Sequence, residues 1–476
     1  MLSVVVVVFA ATMLAPLGVS LALDDGAQRA YAIAILATAS AGVAGYLATR
    51  GRPKDLRPRD GFLFVTLVWT VLPAFGALPL LAQLPAMSVT DAYFESMSGL
   101  TATGATLLSG LDALPPSINL WRCALQWLGG MGVIVLAVAV LPLLGVGGRQ
   151  LLKAETPGPI KETQLTPRIA ETAKGLWLIY AGLTVACALG YAWAGMGWLD
   201  ATMHAFTTLG LGGFSSHDAS FGHWNSPQLE VVAMAFMLLA GVNFVTHVAA
   251  VHRRSFMPYR RDPEAGHYLL LVGGSILLVT VLLVAHGMYA DRMTALRHAA
   301  FSVVSVATTT GYATVDYSVW PSIAPLWMLF IGSFATCSGS TGGGIKMMRA
   351  LLMIRQAVRE LERLVHPRAV MPVKLGGRVV ESNIIFAVLA YMLVYGVTIS
   401  AISLLLIATG LDLMSALSAA VACVNNIGPG LGVVGPATTY APLSDFQTWI
   451  CTFAMLLGRL ELLTVLVLLT PAFWRR

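Results

Sequence analysis

The chain has 476 residues, of which 57% are hydrophobic and only 11% are charged. Soluble domains carry about 25% charged residues, so this composition excludes an ordinary soluble protein and indicates an integral membrane protein. The net charge of +6 would suit a nucleic-acid-binding protein, but the basic residues lie between apolar segments, so no nucleic-acid partner is expected. The five Cys residues show no CxxC or metal spacing and are interpreted as packing residues.

Apolar segments recur along the chain at lengths that suit membrane spans. A transmembrane helix needs roughly 17 to 25 apolar residues, and ten segments of the sequence are long enough. The first has no basic residues before its apolar stretch, so it is interpreted as a retained helix rather than a signal peptide. The ten predicted crossings are 3–23, 30–49, 61–82, 117–144, 175–197, 227–250, 267–288, 323–353, 382–407 and 445–470.

The positions of the basic residues predict how the chain is oriented. Most of its 29 Lys and Arg residues lie in five places: 50–60, 145–174, 251–266, 346–381 and the C-terminal Arg475-Arg476. Basic residues near membrane spans favour the cytoplasmic side. With ten crossings, both termini are therefore expected on the cytoplasmic side of a multi-pass protein.

Four glycine-centred turns interrupt the apolar pattern at corresponding places. Non-helical backbone at membrane depth is tolerated only where it is buried or lines water. Four such turns around one axis would present rings of backbone carbonyls, which can replace the water around an alkali cation. The alternative is that the glycines merely allow helices to pack closely. These four glycine loops are Thr101-Ala102-Thr103-Gly104, Gly210-Leu211-Gly212-Gly213, Thr308-Thr309-Thr310-Gly311 and Asn425-Asn426-Ile427-Gly428.

A short helix is predicted before each glycine loop, around 91–96, 200–205, 295–300 and 414–419. At roughly ten to fourteen residues these helices are too short to span a bilayer. Asp91 and Asp200 each lie thirteen residues before a loop glycine, and both are interpreted as helix N-caps rather than ion ligands. The partial negative charge at each helix C-terminus would favour a cation beside the loops.

The eighth apolar segment contains a glycine-rich interruption, Ser338-Gly339-Ser340-Thr341-Gly342-Gly343-Gly344-Ile345-Lys346. Each Gly in a helix interior costs roughly 1 kcal/mol relative to Ala, so we expect a non-helical, mobile segment here. A phosphate-binding P-loop is excluded, because the order GxxxxGK[ST] is absent and no strand precedes it.

The order of these pieces resembles the Trk/Ktr/HKT superfamily of potassium transporters. Two extra N-terminal helices before the first pore repeat resemble its TrkH/TrkG branch specifically. Four motifs in order carry the resemblance, which covers essentially the whole chain. They are Ser98-Gly99-Leu100-Thr101-Ala102-Thr103-Gly104-Ala105-Thr106, Gly212-Gly213-Phe214-Ser215-Ser216-His217-Asp218, Ala307-Thr308-Thr309-Thr310-Gly311-Tyr312-Ala313-Thr314 and Asn425-Asn426-Ile427-Gly428-Pro429-Gly430.

The resemblance implies an all-α integral membrane fold, with four parallel M1–pore helix–M2 repeats around one pore and two extra N-terminal transmembrane helices. The glycine loops would form a K⁺ selectivity filter, with Gly104, Gly213, Gly311 and Gly428 as its glycines. The expected divisions are 1–59 for the N-terminal helices, then repeats at 60–148, 149–254, 255–366 and 367–476.

The resemblance also makes segment 338–346 an intramembrane gating loop. An arginine inside a membrane span costs at least ~2.5 kcal/mol, so Arg459 in the last crossing needs a partner. It is expected either in an ion pair with a neighbouring acid or, as in relatives, beside the gating loop as a barrier to cations. Lys346 would add to that barrier or extend to the cytoplasmic face.

The function implied is potassium uptake across the bacterial inner membrane, by a homodimer with a TrkA-like cytoplasmic subunit that binds NAD or ATP/ADP. No cofactor is expected on this chain, since it has no Rossmann or Walker fingerprint. The alternative is a K⁺ symporter coupled to H⁺ or Na⁺, for which inverted rather than parallel repeats would be typical. An enzyme is not expected, because no HExxH, GxSxG or paired-carboxylate pattern occurs.

Overall fold

A computed structural model describes residues 1–50, 58–135 and 166–475 of the chain. Four features predicted from the sequence therefore lie wholly or partly outside the described residues. They are the basic residues of 51–57 and 145–165, the end of the 117–144 crossing, the expected boundary at 148/149, and Arg476.

The described chain is mostly helical, as the family resemblance implies. Five 3₁₀ turns supplement the α-helices, at Leu111–Ala113, Ser220–His223, Tyr317–Val319, Gly432–Val434 and Val467–Leu469. The α-helices are Leu2–Thr12, Leu14–Leu23, Gln28–Thr49, Pro58–Gly76, Leu78–Gln83, Val89–Leu100, Pro116–Val135, Thr166–Trp193, Trp198–Gly210, Pro227–Ala240, Phe244–Arg253, Met257–Arg261, Ala265–Ala285, Arg292–Ala307, Ile323–Gly332, Met347–Val365, Ser382–Ala408, Leu413–Val424, Asp445–Arg459, Leu463–Leu466 and Pro471–Trp474.

Within the described residues, six helical segments are long and apolar enough to cross a membrane, or up to eight if two bent pairs each count as one span. The bends are 94° between Pro227–Ala240 and Phe244–Arg253, and 106° between Asp445–Arg459 and Leu463–Leu469. The two remaining predicted crossings are the helix that begins at Pro116 and the interrupted 323–353 segment. The multi-pass prediction is confirmed, and the count of ten stays a prediction.

The four short helices are present, and their N-termini differ from the prediction. Ser88 caps the first helix by accepting a hydrogen bond from Asp91 N, so Asp91 lies in the first turn rather than at the cap. Asp200 is likewise in the first turn, after Gly197. The third and fourth helices do begin at aspartate caps, Asp291 and Asp412. The N-cap interpretation of Asp91 and Asp200 was therefore wrong, because each cap lies three residues earlier in the chain.

The buried apolar side chains form two large clusters, which bring distant parts of the chain together. One combines residues of 6–125 with residues of 391–465, so that the first and last described parts of the chain pack on each other. The other contains residues of 131–351 together with Ile427 and Leu431. Helices near the two ends of the described chain therefore share one apolar cluster.

A two-stranded antiparallel hairpin follows the helix Met347–Val365. Its strands are Lys374–Leu375 and Arg378–Val379, with Lys374 opposite Val379 and Leu375 opposite Arg378. Gly376 and Gly377 form the turn with φ of +55° and +80°, as two-residue hairpins with this twist require.

Candidate functional site

All four short helices end in the same turn. In each, the third residue of the glycine loop donates its N–H to the carbonyl five residues earlier, which is the Schellman closure of a helix C-terminus. The bonds are Thr103 N to Ser98 O at 2.9 Å, Gly212 N to Thr207 O at 2.9 Å, Thr310 N to Ser305 O at 2.8 Å and Ile427 N to Ala422 O at 2.8 Å. Four loops of different sequence thus share the same backbone hydrogen bond.

The second and fourth residues of every glycine loop have positive φ. The fourth are the glycines, with φ of +84° at Gly104, +78° at Gly213, +85° at Gly311 and +93° at Gly428. The second are Ala102, Leu211, Thr309 and Asn426, with φ between +50° and +59°. Left-handed backbone is uncommon for residues other than Gly and Asn, and is strained for β-branched Thr. All four loops hold a residue in this conformation at the same position, which points to a functional site.

Each loop glycine lies against a backbone carbonyl of the next loop along the chain, and the glycine of the fourth loop lies against the first loop. A Cβ built on Gly428 would lie 2.6 Å from Thr103 O, and one on each of the other three glycines would lie even closer to a carbonyl of the next loop. The carbonyls met are Gly212 O by Gly104, Thr310 O by Gly213, and Ile427 O by Gly311. The four loops therefore form a closed ring at which no side chain fits.

In the first and third loops, two threonine hydroxyls hydrogen-bond to each other. Thr101 Oγ1 lies 2.7 Å from Thr103 Oγ1, and the third loop repeats this with Thr308 and Thr310, also at 2.7 Å. Thr103 Oγ1 also accepts a hydrogen bond of 2.9 Å from Asn426 Nδ2 of the fourth loop. The hydroxyls of Thr103 and Thr310 thus stiffen the ring through hydrogen bonds within and between the loops.

The second loop lacks threonine, and Gln126 supplies its support. Gln126 Nε2 donates to Gly212 O over 2.7 Å, while Gln126 Oε1 accepts from Phe214 N over 3.0 Å. The side chain of Gln126 occupies the space that a Cβ on Gly212 would need. Gly212 therefore makes room for a buried amide that holds this loop.

A buried ion pair supports the first loop where it leaves the ring. Glu95 on the first short helix contacts Arg122 Nη2 at 2.7 Å, and the two side chains are 0% and 1% exposed. Glu95 also accepts hydrogen bonds from Thr106 Oγ1 and Leu107 N, 2.9 and 3.1 Å long. Arg122 reaches the second loop's exit, since it donates to Ser215 O over 3.2 Å. This network ties the first short helix to the segments that follow the first and second loops.

Segment 338–346 is non-helical, as its glycine content predicts, and it lies against the glycine loops. Gly343 N donates to Thr309 Oγ1 over 2.9 Å, and a Cβ on Gly343 would collide with Asn425 O. Thr341 Oγ1 donates to Leu209 O over 2.9 Å. The segment therefore contacts the second, third and fourth loops or the helices that lead into them.

The charged groups of Arg459 and Lys346 both donate hydrogen bonds to backbone carbonyls of this segment. Arg459 is 4% exposed and lies at the end of helix Asp445–Arg459, where its guanidinium donates to Thr341 O over 2.9 Å and to Gly129 O over 3.1 Å. Lys346 is buried, and its Nζ donates to Gly342 O, so it does not extend to the membrane surface. These two bonds of Arg459 go to carbonyls, whereas Glu461 pairs with Arg349 at 2.6 Å.

Two buried histidines within apolar segments have both ring nitrogens in hydrogen bonds. His204 bonds Asp200 O at 2.9 Å and Ser215 Oγ at 3.0 Å. His247 bonds Tyr259 OH at 2.7 Å and Leu239 O at 2.9 Å.

Apolar helices of spanning length, arranged around four buried non-helical loops, define a multi-pass membrane transport protein. The family model described as TrkH, cation transport protein, matches residues 27–476. The chain is 47% identical to the Trk system potassium uptake protein TrkH of Halomonas elongata, over 100% of this chain and 98% of the relative. It is 46% identical to TrkH of Escherichia coli K12, over 99% and 97%.

A solved structure is also similar. The crystal structure of the potassium transporter TrkH from Vibrio parahaemolyticus superposes with a TM-score of 0.92 and 43% identity, covering 99% of this chain and 98% of that one. The chain therefore belongs to the TrkH family of cation transport proteins. The family expected from the four motifs is confirmed, and so is the prediction of a transport protein rather than an enzyme.

Proposed function

We propose that this chain takes up K⁺ through a pathway formed by the four glycine loops. The observation that carries the proposal is the closed ring, in which each glycine approaches a carbonyl of the neighbouring loop. Its relatives are named potassium uptake proteins. The M1–pore helix–M2 interpretation, with four parallel repeats divided at 60–148, 149–254, 255–366 and 367–476, gives one such loop to each repeat.

The filter consists of residues 101–104, 210–213, 308–311 and 425–428. In each loop, left-handed residues alternate with residues that are not left-handed, which turns successive carbonyls toward the same side instead of alternating them as in a β-strand. Stacked carbonyls replace the hydration shell of an alkali cation. Because the second loop has Gly210 and Gly212 and the fourth has Asn425 and Ile427, we expect K⁺ preference with looser discrimination against Na⁺ than a filter of four identical strands.

Segment 338–346 acts as the gate. It lies against the loops through Gly343 and Thr341, and Arg459 fixes the carbonyl of Thr341. The buried charges of Arg459 and Lys346 place two positive groups beside the path a cation would take, which repels it while the segment stays in place. Opening requires that the segment move and carry these contacts with it.

A cytoplasmic TrkA-like subunit that binds NAD or ATP/ADP would move the gate. The name "Trk system" of the relatives implies several components. Helix Met347–Val365, which begins where the gating segment ends, carries a row of exposed apolar side chains at helical spacing: Ile354, Val358, Leu361 and Val365. Such a row favours a protein partner, either this subunit or the second chain of a homodimer. In this proposal both termini are in the cytoplasm and the protein is in the bacterial inner membrane.

The test is ⁸⁶Rb⁺ uptake into K⁺-loaded liposomes that contain the purified chain. Three proteins are compared: the unmodified chain, a variant lacking Gly342–Gly344, and a Gly273→Ala control whose added Cβ meets nothing within 4 Å. We expect selective uptake by the unmodified chain and the control, and faster uptake by the deletion variant.

Absence of selective cation uptake in all three proteins would overturn the channel proposal. Uptake that requires an imposed H⁺ or Na⁺ gradient would instead favour the coupled symporter. Uptake that falls on deletion, in a protein that remains monodisperse, would contradict the gate alone.

A further inference from the structure

Three side chains with metal-binding atoms meet in the segments that follow the first and second glycine loops. They are Asp112 in the turn Leu111–Ala113, His223 at the end of the turn Ser220–His223, and His217 shortly before that turn. One donor atom from each lies within 4.8 Å of the others. Asp112 Oδ1 contacts His217 Nδ1 and lies 3.8 Å from His223 Nδ1, so a single carboxylate oxygen faces both rings.

The two imidazole rings are held in place by neighbours other than Asp112. They stack at a centroid distance of 3.6 Å with an interplanar angle of 10°, and each packs edge-on against Trp224 at 4.9 and 5.0 Å. Asp112 and His223 are exposed while His217 is only 16% exposed, so the cluster is open to water on one side. A cation that entered from solvent would meet donors that are already oriented.

The donor set selects a particular class of ion. Two imidazole nitrogens and one carboxylate oxygen suit Zn²⁺ and related transition metals better than Mg²⁺ or Ca²⁺, which prefer oxygen. Tetrahedral ligands about 2.0–2.2 Å from Zn²⁺ are about 3.3 Å apart, so closing the observed spacing requires only small side-chain movements. Water would complete the coordination.

A second carboxylate is placed to support the histidine. His217 Nε2 is buried without a hydrogen-bond partner in the part of the chain that the structure describes, and Asp200 Oδ2 lies 3.6 Å away. When a metal binds His217 Nδ1, the ring proton resides on Nε2 and faces Asp200, which is the carboxylate–histidine–metal arrangement found around many metal ligands.

The cluster joins the segments that leave the first and second glycine loops. Asp218, next to His217, accepts hydrogen bonds from Gly110 N at 2.8 Å and Leu111 N at 3.1 Å, while its own N–H donates to Asp112 Oδ2 at 3.2 Å. His217 is only four residues beyond Gly213. A divalent ion bound here would link the segments that follow the first and second loops. Its positive charge would lie near the outer entrance of the proposed pathway.

We propose that Asp112, His217 and His223 form a binding site for a Zn²⁺-class transition-metal ion, and that the bound ion slows cation entry into the pathway. The second half of this inference rests on the proposed uptake function, whereas the first half does not. Cysteine does not compete for the ion, since all five Cys residues are buried.

Binding is measured first, by calorimetric titration of ZnCl₂ into the purified full-length chain in a buffer without chelating groups. His223→Ala and Asp112→Asn remove ligands, and a His252→Ala/His267→Ala variant removes two exposed histidines on other elements as a matched control. We expect saturable binding of one Zn²⁺ to the unmodified chain and the control, and at least about tenfold weaker binding in the ligand variants. Asp200→Asn should weaken binding by a smaller factor, and millimolar Mg²⁺ should not compete.

The effect on uptake is measured separately with ⁸⁶Rb⁺ and external ZnCl₂. Zinc should slow uptake by the unmodified chain and the control, and should have little effect on His223→Ala, with each protein compared with its own rate in the absence of zinc. Equal zinc binding by the unmodified chain and the ligand variants would overturn the site. If the ligand variants lose zinc binding but zinc inhibits uptake by all the proteins equally, the proposal that the bound ion slows cation entry is overturned. A chain that shows no uptake at all would fail the proposed function and leave the binding result standing.

Discussion

Arg459 donates a hydrogen bond of 2.9 Å to the carbonyl oxygen of Thr341, a residue 118 positions earlier in the chain. The same guanidinium reaches Gly129 O over 3.1 Å, so one buried cation joins the first, third and fourth repeats of the proposed architecture. Gly129 also lies close against the first short helix, because a Cβ on Gly129 would collide with Leu100 O at the end of that helix. In the proposed mechanism, the guanidinium of Arg459 would both hold the gate and repel cations.

Replacing Arg459 by Ala should therefore raise ⁸⁶Rb⁺ uptake by the chain without its partner several-fold. The substitution removes a buried charge and frees the carbonyl of Thr341, so segment 338–346 is held less tightly. The cost of two unpaired carbonyls, roughly 1–3 kcal/mol each if they stay dry, should also lower the melting temperature. Arg253→Ala, at an exposed position, is the matched control. Reduced uptake by a monodisperse Arg459→Ala protein would show that Arg459 is not a barrier.

Gly311→Ala should disrupt the ring itself. Its Cβ would meet Ile427 O of the next loop and, at 2.8 Å, Pro429 Cδ, and Ala would also have to adopt a φ of +85°. Left-handed backbone alone costs Ala roughly 1–2 kcal/mol, and each 1.36 kcal/mol is a factor of ten in rate. We expect selective uptake to fall by about tenfold or more, while Gly273→Ala changes nothing. Normal Rb⁺ over Na⁺ selectivity in Gly311→Ala would contradict the filter.

The loop glycines could be predicted from the sequence because glycine just beyond a short apolar helix is typical of a left-handed C-terminal turn. The left-handed residues two positions earlier could not, since Ala102, Leu211 and Thr309 carry no signal for positive φ. Only Asn426 belongs to a residue type that adopts this conformation readily. Their conformation follows from the shared helix closure, which becomes visible only when the hydrogen bonds are known.

Arg122 could have been predicted from the sequence as a site residue, but it was missed. A charge inside an apolar segment marks a paired or functional residue, and Arg122 in the 117–144 crossing carries this signal just as Arg459 does in the last crossing. Gln126 gave no comparable signal, because its partner Gly212 O is 86 positions away. The role of Gln126 depends on how two repeats pack, which no local pattern encodes.

Thr309 offers a test of the contact between the third loop and the gate. Its hydroxyl accepts the hydrogen bond from Gly343 N, so Thr309→Ala should loosen the segment and raise uptake without the partner. Thr309→Ser keeps the hydroxyl at the same backbone position and is the matched control, expected to behave like the unmodified chain. The measurement is again ⁸⁶Rb⁺ uptake, with melting temperatures to compare folding. Equal uptake by the Ala and Ser variants would show that the hydrogen bond from Gly343 N to Thr309 Oγ1 does not contribute to gating.

The pair Glu95–Arg122 should dominate the stability of the first loop. Glu95→Gln leaves a buried arginine without its counter-charge, and breaking such a pair typically costs about 3–5 kcal/mol. Arg122→Gln leaves the opposite charge unpaired, so the double variant Glu95→Gln/Arg122→Gln should lose less stability than the two single losses added together. Thermal unfolding in detergent measures all four proteins of the cycle. If the losses simply add, the contact of 2.7 Å between Arg122 Nη2 and Glu95 Oε1 contributes no coupling, and Glu95 supports the loop only through Thr106 and Leu107.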